Sequence, residues 1–291
     1  MTALPNNFIS ASENTLTSEQ LLEQGLGFHQ EGHLDKAIEV YQRLLTQAPE
    51  HADALHLMGE ALYRKRHYAQ ALSYVNSAIA HSPHPFYLNT RANILLELGH
   101  LKEAEQDLKR AIKAEPDYLE AHINLSNVYR KQDDFKKAKQ YSDLAIKINP
   151  ESAAAWNALG AVQMESGQLD IALTSFDQAL SLAPEALIIV KNKAKILAAQ
   201  KKWEETLGLL IKAEKLQDFE VSCLLSRAYF LLGQIEKCID PFQQAMRFSD
   251  AASRKAYFLT TEGLEQLLAV GEALETYRSN FSDAADLYQL A

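Results

Sequence analysis

Features that would assign a chemical activity are missing from this chain of 291 residues. It has no GxxxxGK[ST] phosphate loop, no GxGxxG loop, no HExxH zinc motif and no CxxC pair. Positive charge is also in short supply, since 29 Lys and Arg residues face 38 Asp and Glu residues. A net charge of −9 argues against a general binder of nucleic acid, because phosphate binding needs a basic face. We therefore expect no catalysis, no cofactor and no nucleic-acid partner.

Cysteine and long apolar runs are scarce as well. The two cysteines, Cys223 and Cys238, occupy packing positions and are expected to be buried, reduced thiols, which suits a cytoplasmic protein. No stretch approaches the length of uninterrupted apolar sequence that spans a bilayer, so no membrane insertion is expected. The nine histidines form no set with cysteines or carboxylates at the spacing of a four-ligand zinc site. No metal site is predicted.

What the chain does contain is a motif about 34 residues long, clearest in Ala153–Pro184. Gly160 and Ala172 are small there, which allows two helices to approach closely, and Phe176 fills the space beside them. Gly167 suits the left-handed position that ends a helix. Such a helix pair cannot bury its apolar face alone and needs neighbours of the same kind.

The small positions of this motif recur along the chain at the same period. The small residue of the second helix recurs as Ala37, Ala71, Ala104, Ala138, Ala172, Thr206, Cys238 and Ala273. Its counterpart in the first helix recurs as Gly25, Gly59, Ala92, Ser126, Gly160, Ala194, Ser226 and Thr261. Together with Trp156, Leu159 and the closing Pro184, this pattern resembles that of tetratricopeptide-repeat proteins over residues 18 to 280. The resemblance implies an all-α, right-handed superhelical solenoid of about eight repeats whose first helices line a concave wall.

The domain organisation follows from the repeat. We expect a flexible leader over residues 1–16, the repeats over 17–280 and a short capping helix over 281–291. The expected repeats, called units one to eight below, lie near 18–51, 52–84, 85–118, 119–152, 153–186, 187–218, 219–252 and 254–280. Five of the eight are clear, and three have lost part of the pattern.

Asparagine collects at positions that should face the concave wall. These asparagines are Asn89, Asn93, Asn124, Asn127, Asn157 and Asn192. Asparagine is a poor helix-interior residue, so several on one face of consecutive helices suggest use. The NLSN segment at 124–127 resembles the asparagine ladder of O-linked N-acetylglucosamine transferases, where the amides hold the backbone of an extended peptide. This chain departs from the ladder in unit five, where Ala158 takes the ladder position.

Basic residues accompany the asparagines along the same predicted wall. They are Arg130, Lys131, Lys191, Lys195 and Arg227. In an acidic chain, a basic wall favours an acidic peptide segment or a C-terminal carboxylate. The carboxylate clamp by which some members of the family hold chaperone tails is excluded, because Lys195 stands where that clamp requires asparagine.

Three functional hypotheses remain open. The first is a non-catalytic cytoplasmic adaptor whose groove holds an extended segment of a protein partner. The second is the substrate-recruiting part of a glycosyl- or sulfotransferase system. The third is a structural protein that self-associates through its terminal repeats, with unit eight and the helix around Leu287–Leu290 as the surface.

Overall fold

The computed structural model describes residues 16–213, 215 and 218–248. Over that part the chain is helical and contains no strand, so the predicted all-α repeat fold is confirmed. The helices are α1 (Ser18–Gln30), α2 (Leu34–Gln47), α3 (Ala52–Arg64), α4 (Tyr68–His81), α5 (Pro85–Glu97), α6 (Leu101–Ala114), α7 (Leu119–Lys131), α8 (Phe135–Ile148), α9 (Ala153–Glu165), α10 (Leu169–Leu182), α11 (Leu187–Ala199), α12 (Trp203–Ala213), α13 (Phe219–Leu231) and α14 (Ile235–Phe248).

Consecutive helices pack in pairs, from α1 with α2 to α13 with α14, and we use the names units one to seven for these seven pairs. The first pair starts at Thr17, whose side chain accepts a hydrogen bond from the Gln20 N–H while the Gln20 side chain accepts one from the Thr17 N–H. This reciprocal capping satisfies two backbone donors that the first turn would otherwise leave open. Residues 1–15 of the expected leader, unit eight and the capping helix lie outside the described residues.

The small positions lie where the two helices of each pair meet. In units one to seven all of them are buried, including Thr206 and Cys238, which replace alanine in the weaker repeats. Where serine replaces glycine in the first helix, its hydroxyl ties the two helices together. Ser126 Oγ donates to the Ala138 carbonyl and Ser226 Oγ to the Cys238 carbonyl, both at 2.8 Å. The hydroxyls are thus hydrogen-bonded despite full burial, as a packed joint requires.

The two cysteines are free and buried, as expected from their packing positions. Cys238 has no exposed surface, and its burial raises the pKa of the thiol to about 11. A thiol with so high a pKa stays protonated at neutral pH and is a poor nucleophile.

A left-handed residue ends the first helix in each of the seven described units. Glycine takes this position in units one, three, five and seven, and Arg66, Asp133 and Lys201 take it in units two, four and six. The N–H of the next residue then bonds a carbonyl in the last turn of the helix, for example His33 to Phe28 at 2.8 Å and Gln168 to Gln163 at 2.8 Å. This arrangement satisfies carbonyls that the helix end leaves free.

Two compact units divide the chain, Met1–Ile148 and Asn149–Ala291. Within the first, a buried cluster joins residues of α1 to α5, among them Tyr41, Met58 and Val75. Within the second, one cluster forms around Phe176 and Ile196 and another around Leu210 and Leu225. We call these the N-terminal and C-terminal compact units and describe each by itself.

Candidate functional site

The predicted asparagines bond to one another from repeat to repeat. In the N-terminal compact unit, Asn124 Nδ2 donates to Asn89 Oδ1 at 2.9 Å, which links α7 to α5. In the C-terminal compact unit, Asn192 Nδ2 donates to Asn157 Oδ1 at 3.1 Å, which links α11 to α9. Each bond joins the residue three before the small position of one repeat to the residue two before it in the next. A one-residue offset between the two asparagines of each pair therefore brings their side chains into contact.

The same register also holds a pair that sequence reasoning missed. His56 Nε2 lies 2.8 Å from Thr90 Oγ1, joining α3 to α5. The His56 ring stacks on Tyr87 with 4.6 Å between ring centroids, and the Tyr87 hydroxyl donates to the Asp53 carboxylate. Polar residues about one period apart on successive first helices were the signal available for this pair.

The paired amides differ in how much bonding capacity they keep. Asn89 is only 8% exposed and its oxygen accepts the bond from Asn124, so it is largely committed to the fold. Asn124, Asn157 and Asn192 are half-buried. An amide offers two N–H donors and an oxygen with two lone pairs, so one side-chain bond leaves Asn124 and Asn192 a donor and an acceptor each. These two can still bind a peptide unit bidentately.

The remaining predicted residues of the N-terminal compact unit lie on α5 and α7. Asn93 and Asn127 are half-buried, and neither makes a side-chain hydrogen bond to another described residue. Arg130 is half-buried and Lys131 exposed in the last turn of α7. Cations in the last turn interact favourably with the helix dipole, which is a structural role available to both.

Two of the three predicted basic residues of the C-terminal compact unit are paired with carboxylates. Lys191 Nζ lies 2.8 Å from Glu220 and 3.3 Å from Asp218, and Lys195 Nζ lies 2.8 Å from Glu220. Burial opposes the charge of Glu220, yet the bonds from both lysines hold its pKa below the usual value. Arg227 lies over the Trp203 ring at 5.5 Å from its centroid. Sequence reasoning missed Asp218 and Glu220, which begin the first helix of the following repeat.

These charged groups surround a cavity of about 390 Å³ between α11 and α13. Its lining consists of Lys191, Lys195, Asp218, Phe219, Glu220, Cys223, Leu224 and Arg227. Phe219, Cys223 and Leu224 are its apolar lining, which we call the floor, and the three cations and two carboxylates are its charged lining, which we call the rim. The structure thus brings together three of the predicted residues here. The other predicted residues of this compact unit, Asn157 and Asn192, meet in the amide pair.

Two further properties concern only the described residues. No group of three or more His, Cys, Asp or Glu side chains among them is placed to hold a metal ion. None of their helices has the length and apolar character needed to cross a membrane.

Comparison with protein families gives three matches along the repeats. A profile of the anaphase-promoting complex, cyclosome, subunit 3 matches residues 30–111. Profiles of the tetratricopeptide repeat match residues 95–162 and 153–186. The last of these covers the segment on which the repeat period was first recognised.

Several curated proteins resemble the chain over part of their length. Protein O-mannosyl-transferase TMTC1 of Homo sapiens is 27% identical over 213 residues, which cover 60% of this chain and 24% of that protein. Anaphase-promoting complex subunit 7 of Homo sapiens is 25% identical over 218 residues, covering 74% of this chain and 38% of that protein. The chain thus spans well under half of either relative.

Solved structures share the fold. A tetratricopeptide-repeat protein from Parabacteroides merdae superposes with a TM-score of 0.61 at 20% identity, covering 80% of this chain and 93% of that one. TTC0263, a repeat protein of Thermus thermophilus, gives a TM-score of 0.57 at 22% identity over 62% of this chain and 100% of its own. At these identities the likeness shows the fold alone.

Proposed function

Since this chain is a tetratricopeptide-repeat protein, we propose that it is a non-catalytic scaffold that holds an extended segment of a protein partner along its first helices. The same fold supports many unrelated functions, so the function of this chain depends on the residues of that wall. One matching family profile and one similar protein support a role in protein binding, because both carry the names of subunits of the anaphase-promoting complex.

The observation that carries the proposal is the pair of amide bridges, Asn89 to Asn124 and Asn157 to Asn192. Each bridge fixes the rotamers of its two side chains, so Asn124 and Asn192 are pre-oriented before a ligand arrives. Pre-orientation lowers the entropy that binding must overcome. The free donor and acceptor of each amide match the carbonyl and N–H of an extended backbone, whatever its side chains.

We propose further that the bound segment is acidic. The charged lining of the cavity between α11 and α13 consists of Lys191, Lys195 and Arg227 with Asp218 and Glu220. The charges of these five lining residues sum to +1, although the whole chain carries −9. A carboxylate of the partner entering this rim would balance the local charge, while the apolar floor accepts a neighbouring side chain.

A peptide-display selection against the whole chain, followed by affinity measurement by fluorescence anisotropy, tests the proposal. For each selected peptide, the variant in the compact unit that binds it, Asn124→Ala or Asn192→Ala, should weaken binding by about 0.5–1.5 kcal/mol, the net value of one neutral hydrogen bond. Gln42→Ala, an exposed change on α2, serves as the control and should leave affinity alone. Affinity unchanged in both asparagine variants, with folding intact, would reject the wall as the binding surface.

The acidic preference is tested on the peptide rather than on the protein, because removing Lys191 or Lys195 would take away one of the two lysine partners of Glu220. Replacing Glu and Asp by Gln and Asn in a selected peptide should weaken binding. The loss should be larger at low salt, where screening is least. Equal affinities for the acidic and the neutral peptide would remove the charge part of the proposal and leave the amide part standing.

A second candidate function follows from the similarity to the O-mannosyl-transferase, which this chain matches over 24% of that protein. In this alternative the repeats recruit a protein substrate for a glycosyltransferase. It predicts that the segment selected by the wall is a site of glycosylation and that adding this chain speeds transfer to it. Mass spectrometry of a glycosylation reaction with and without the chain distinguishes the two. No change in modification favours the plain scaffold.

A further inference from the structure

Units three and six differ from the other units at one position of the first helix. Immediately before the small residue, the other units carry a long apolar or polar neutral side chain. Unit three has Arg91 there and unit six has Lys193. In both units the second helix supplies another cation at one shared position, Arg110 on α6 and Lys212 on α12. The two units therefore carry the same pair of cations.

In unit three a carboxylate of the same unit lies between these cations. Arg91 donates to Asp107 twice, from Nε at 2.6 Å and from Nη2 at 2.7 Å, and Arg110 Nη1 lies 3.5 Å from the same carboxylate. Asp107 is 4% exposed. Bidentate bonding of this kind is the strong form of a charged pair and offsets the burial of Asp107. A cavity of about 300 Å³ beside it includes Arg91, Asp107 and Arg110 in its lining.

In unit six the corresponding carboxylate is missing. Leu209 occupies the position of Asp107, one turn before Lys212. Lys193 instead contacts Asp177, a residue of the preceding repeat whose side chain is 59% exposed. Lys212 makes no ion pair with any described residue. Both lysines line a cavity of about 260 Å³, which we call the unit-six pocket.

The rest of the pocket is apolar with charged edges. Its remaining lining consists of Asp177, Leu180, Pro184, Glu185, Val190, Leu209, Ala213 and Lys215. Glu185 is already bonded to Lys215, so the two ends of that pair neutralise each other. Around Leu209 the lining thus combines an apolar surface with two lysines, of which Lys193 pairs with the exposed Asp177 and Lys212 pairs with no described carboxylate.

We propose that the unit-six pocket binds a carboxylate carried on a small apolar group, which takes the place that Asp107 fills in unit three. The ligand's carboxylate pairs with the two lysines of unit six, as Asp107 pairs with the two arginines of unit three. Its apolar part packs on Leu180, Val190 and Leu209. Two sources present this chemistry: the C-terminal apolar residue of a protein and a free short-chain carboxylate. The pocket is distinct from the wall proposed above, since it uses Lys193 of α11 rather than Lys191, Asn192 and Lys195.

N-Acetyl-leucine is the first probe, and N-acetyl-leucinamide is its neutral control. Titration of the whole chain, followed by amide shifts in NMR spectra, should show saturable shifts around Leu209 and Lys212 with the acid only. The shifts should weaken at high salt, because the interaction is ionic and partly exposed. Equal binding of the amide, or no saturable binding of the acid, would overturn the proposal.

Two variants test the assignment to the pocket. Lys212→Gln should weaken binding of the acid about two- to fivefold, as expected for one partly exposed charge pair, whereas Lys113→Gln, an exposed change on α6, should leave it unchanged. Leu209→Asp restores the carboxylate that unit three has and should abolish binding. If Leu209→Asp fails to fold, the comparison of Lys212→Gln with Lys113→Gln still tests the assignment. Unchanged affinity for the acid in Lys212→Gln would reject the unit-six pocket as the binding site.

The source of the carboxylate is settled by a third probe, the peptide Gly-Ser-Gly-Leu with a free C-terminus. Binding at least several times tighter than N-acetyl-leucine, with the same sensitivity to Lys212→Gln, assigns the pocket to a protein terminus. Equal affinity of the two assigns it to a free small carboxylate. Because neither probe engages the asparagine wall, these results stand whether or not the peptide-binding proposal holds.

Discussion

Within each helix pair, the small residue of the first helix and the side chain that faces it from the second helix occupy one limited space. A Cβ added at Gly25 would lie 2.4 Å from Tyr41 Cε1, and one added at Gly160 would lie 2.7 Å from Phe176 Cε1. Close packing leaves no slack for such an atom. Opposite alanine in the first helix, at Ala92 and Ala194, the chain has leucine at the facing position, whereas Ser226 faces the aromatic Phe242.

This division of space predicts a compensating pair of substitutions. Gly160→Ala alone should destabilise the protein by about 1–3 kcal/mol, because the added methyl pushes Phe176 out of its rotamer. Gly160→Ala combined with Phe176→Leu should recover part of that loss, since it copies the pairing of units three and six. Urea unfolding of the two single variants and the double variant gives the coupling. Strictly additive effects would show that the two positions do not share space.

At the scale of elements, the turns between paired helices store strain in three of seven cases. Arg66, Asp133 and Lys201 have φ values of 63°, 58° and 58°, a conformation that side chains with a Cβ rarely adopt. Glycine takes the same position in the other four units without strain. The fold therefore tolerates the cost in alternate repeats, where the neighbouring helices hold the turn.

Relieving that strain should stabilise the protein. Arg66→Gly and Lys201→Gly should each raise the free energy of unfolding by roughly 0.5–1 kcal/mol, the balance between relief of the left-handed strain and the added freedom of the unfolded chain. Gly167→Ala should do the opposite by a similar amount, since Gly167 has φ 83°. Thermal and chemical unfolding measure both. A loss of stability in the glycine variants would mean that these side chains make contacts worth more than the strain.

Histidines on α1 and α3 should make folding sensitive to mild acid. Burial lowers the pKa of His29, the charge of Arg64 lowers it further, and the charge of Glu60 opposes the shift. Burial also lowers the pKa of His56, where nearby histidines add to the shift and the carboxylates of Glu60 and Asp53 oppose it. The unfolded histidines, with pKa values near their usual value of about 6.5, bind protons first as the pH falls. Stability should therefore be fully present above that pH and decline below it.

The measurement is the free energy of unfolding between about pH 7.5 and pH 5.5 for the parent and a His29→Gln/His56→Gln variant. The variant should lose part of the pH dependence, because glutamine does not titrate. Equal slopes in the parent and the variant would show that other groups carry the effect. His33→Gln, an exposed change, is the matched control and should keep the parent slope.

At the scale of the whole molecule, the contacts group into two compact units with separate cores. A cut after Ile148 falls at exposed residues, Asn149 and Pro150, and leaves every helix pair of the N-terminal compact unit complete. Repeat arrays can be shortened at such boundaries because each repeat packs mainly on its neighbours. The fragment of residues 1–148 should therefore fold by itself, with a helical far-ultraviolet spectrum and a cooperative melting transition. A random-coil spectrum at moderate concentration would contradict the division.

Sequence determined much of this architecture, because sterically demanding positions are visible as residue types. The spacing of Gly160, Ala172 and their equivalents located all seven described helix pairs, and Gly167 located a turn. The sequence could not show that Lys191 and Lys195 are paired with Glu220, since that contact depends on how one repeat sits on the next. For the same reason it gave the asparagines as separate wall positions, whereas Asn89 is buried and bonded to Asn124.

The turns of the described units alternate, which gives the structure a period of two helix pairs. Left-handed glycine occurs in odd-numbered units and left-handed Arg66, Asp133 and Lys201 in even-numbered ones. The asparagine pairs alternate in the same way, with the acceptor amide in units three and five and the donor amide in units four and six. The smallest block that reproduces both features is a double repeat of about 68 residues, twice the motif period. For these two features, two consecutive helix pairs rather than one form the repeating unit of the structure.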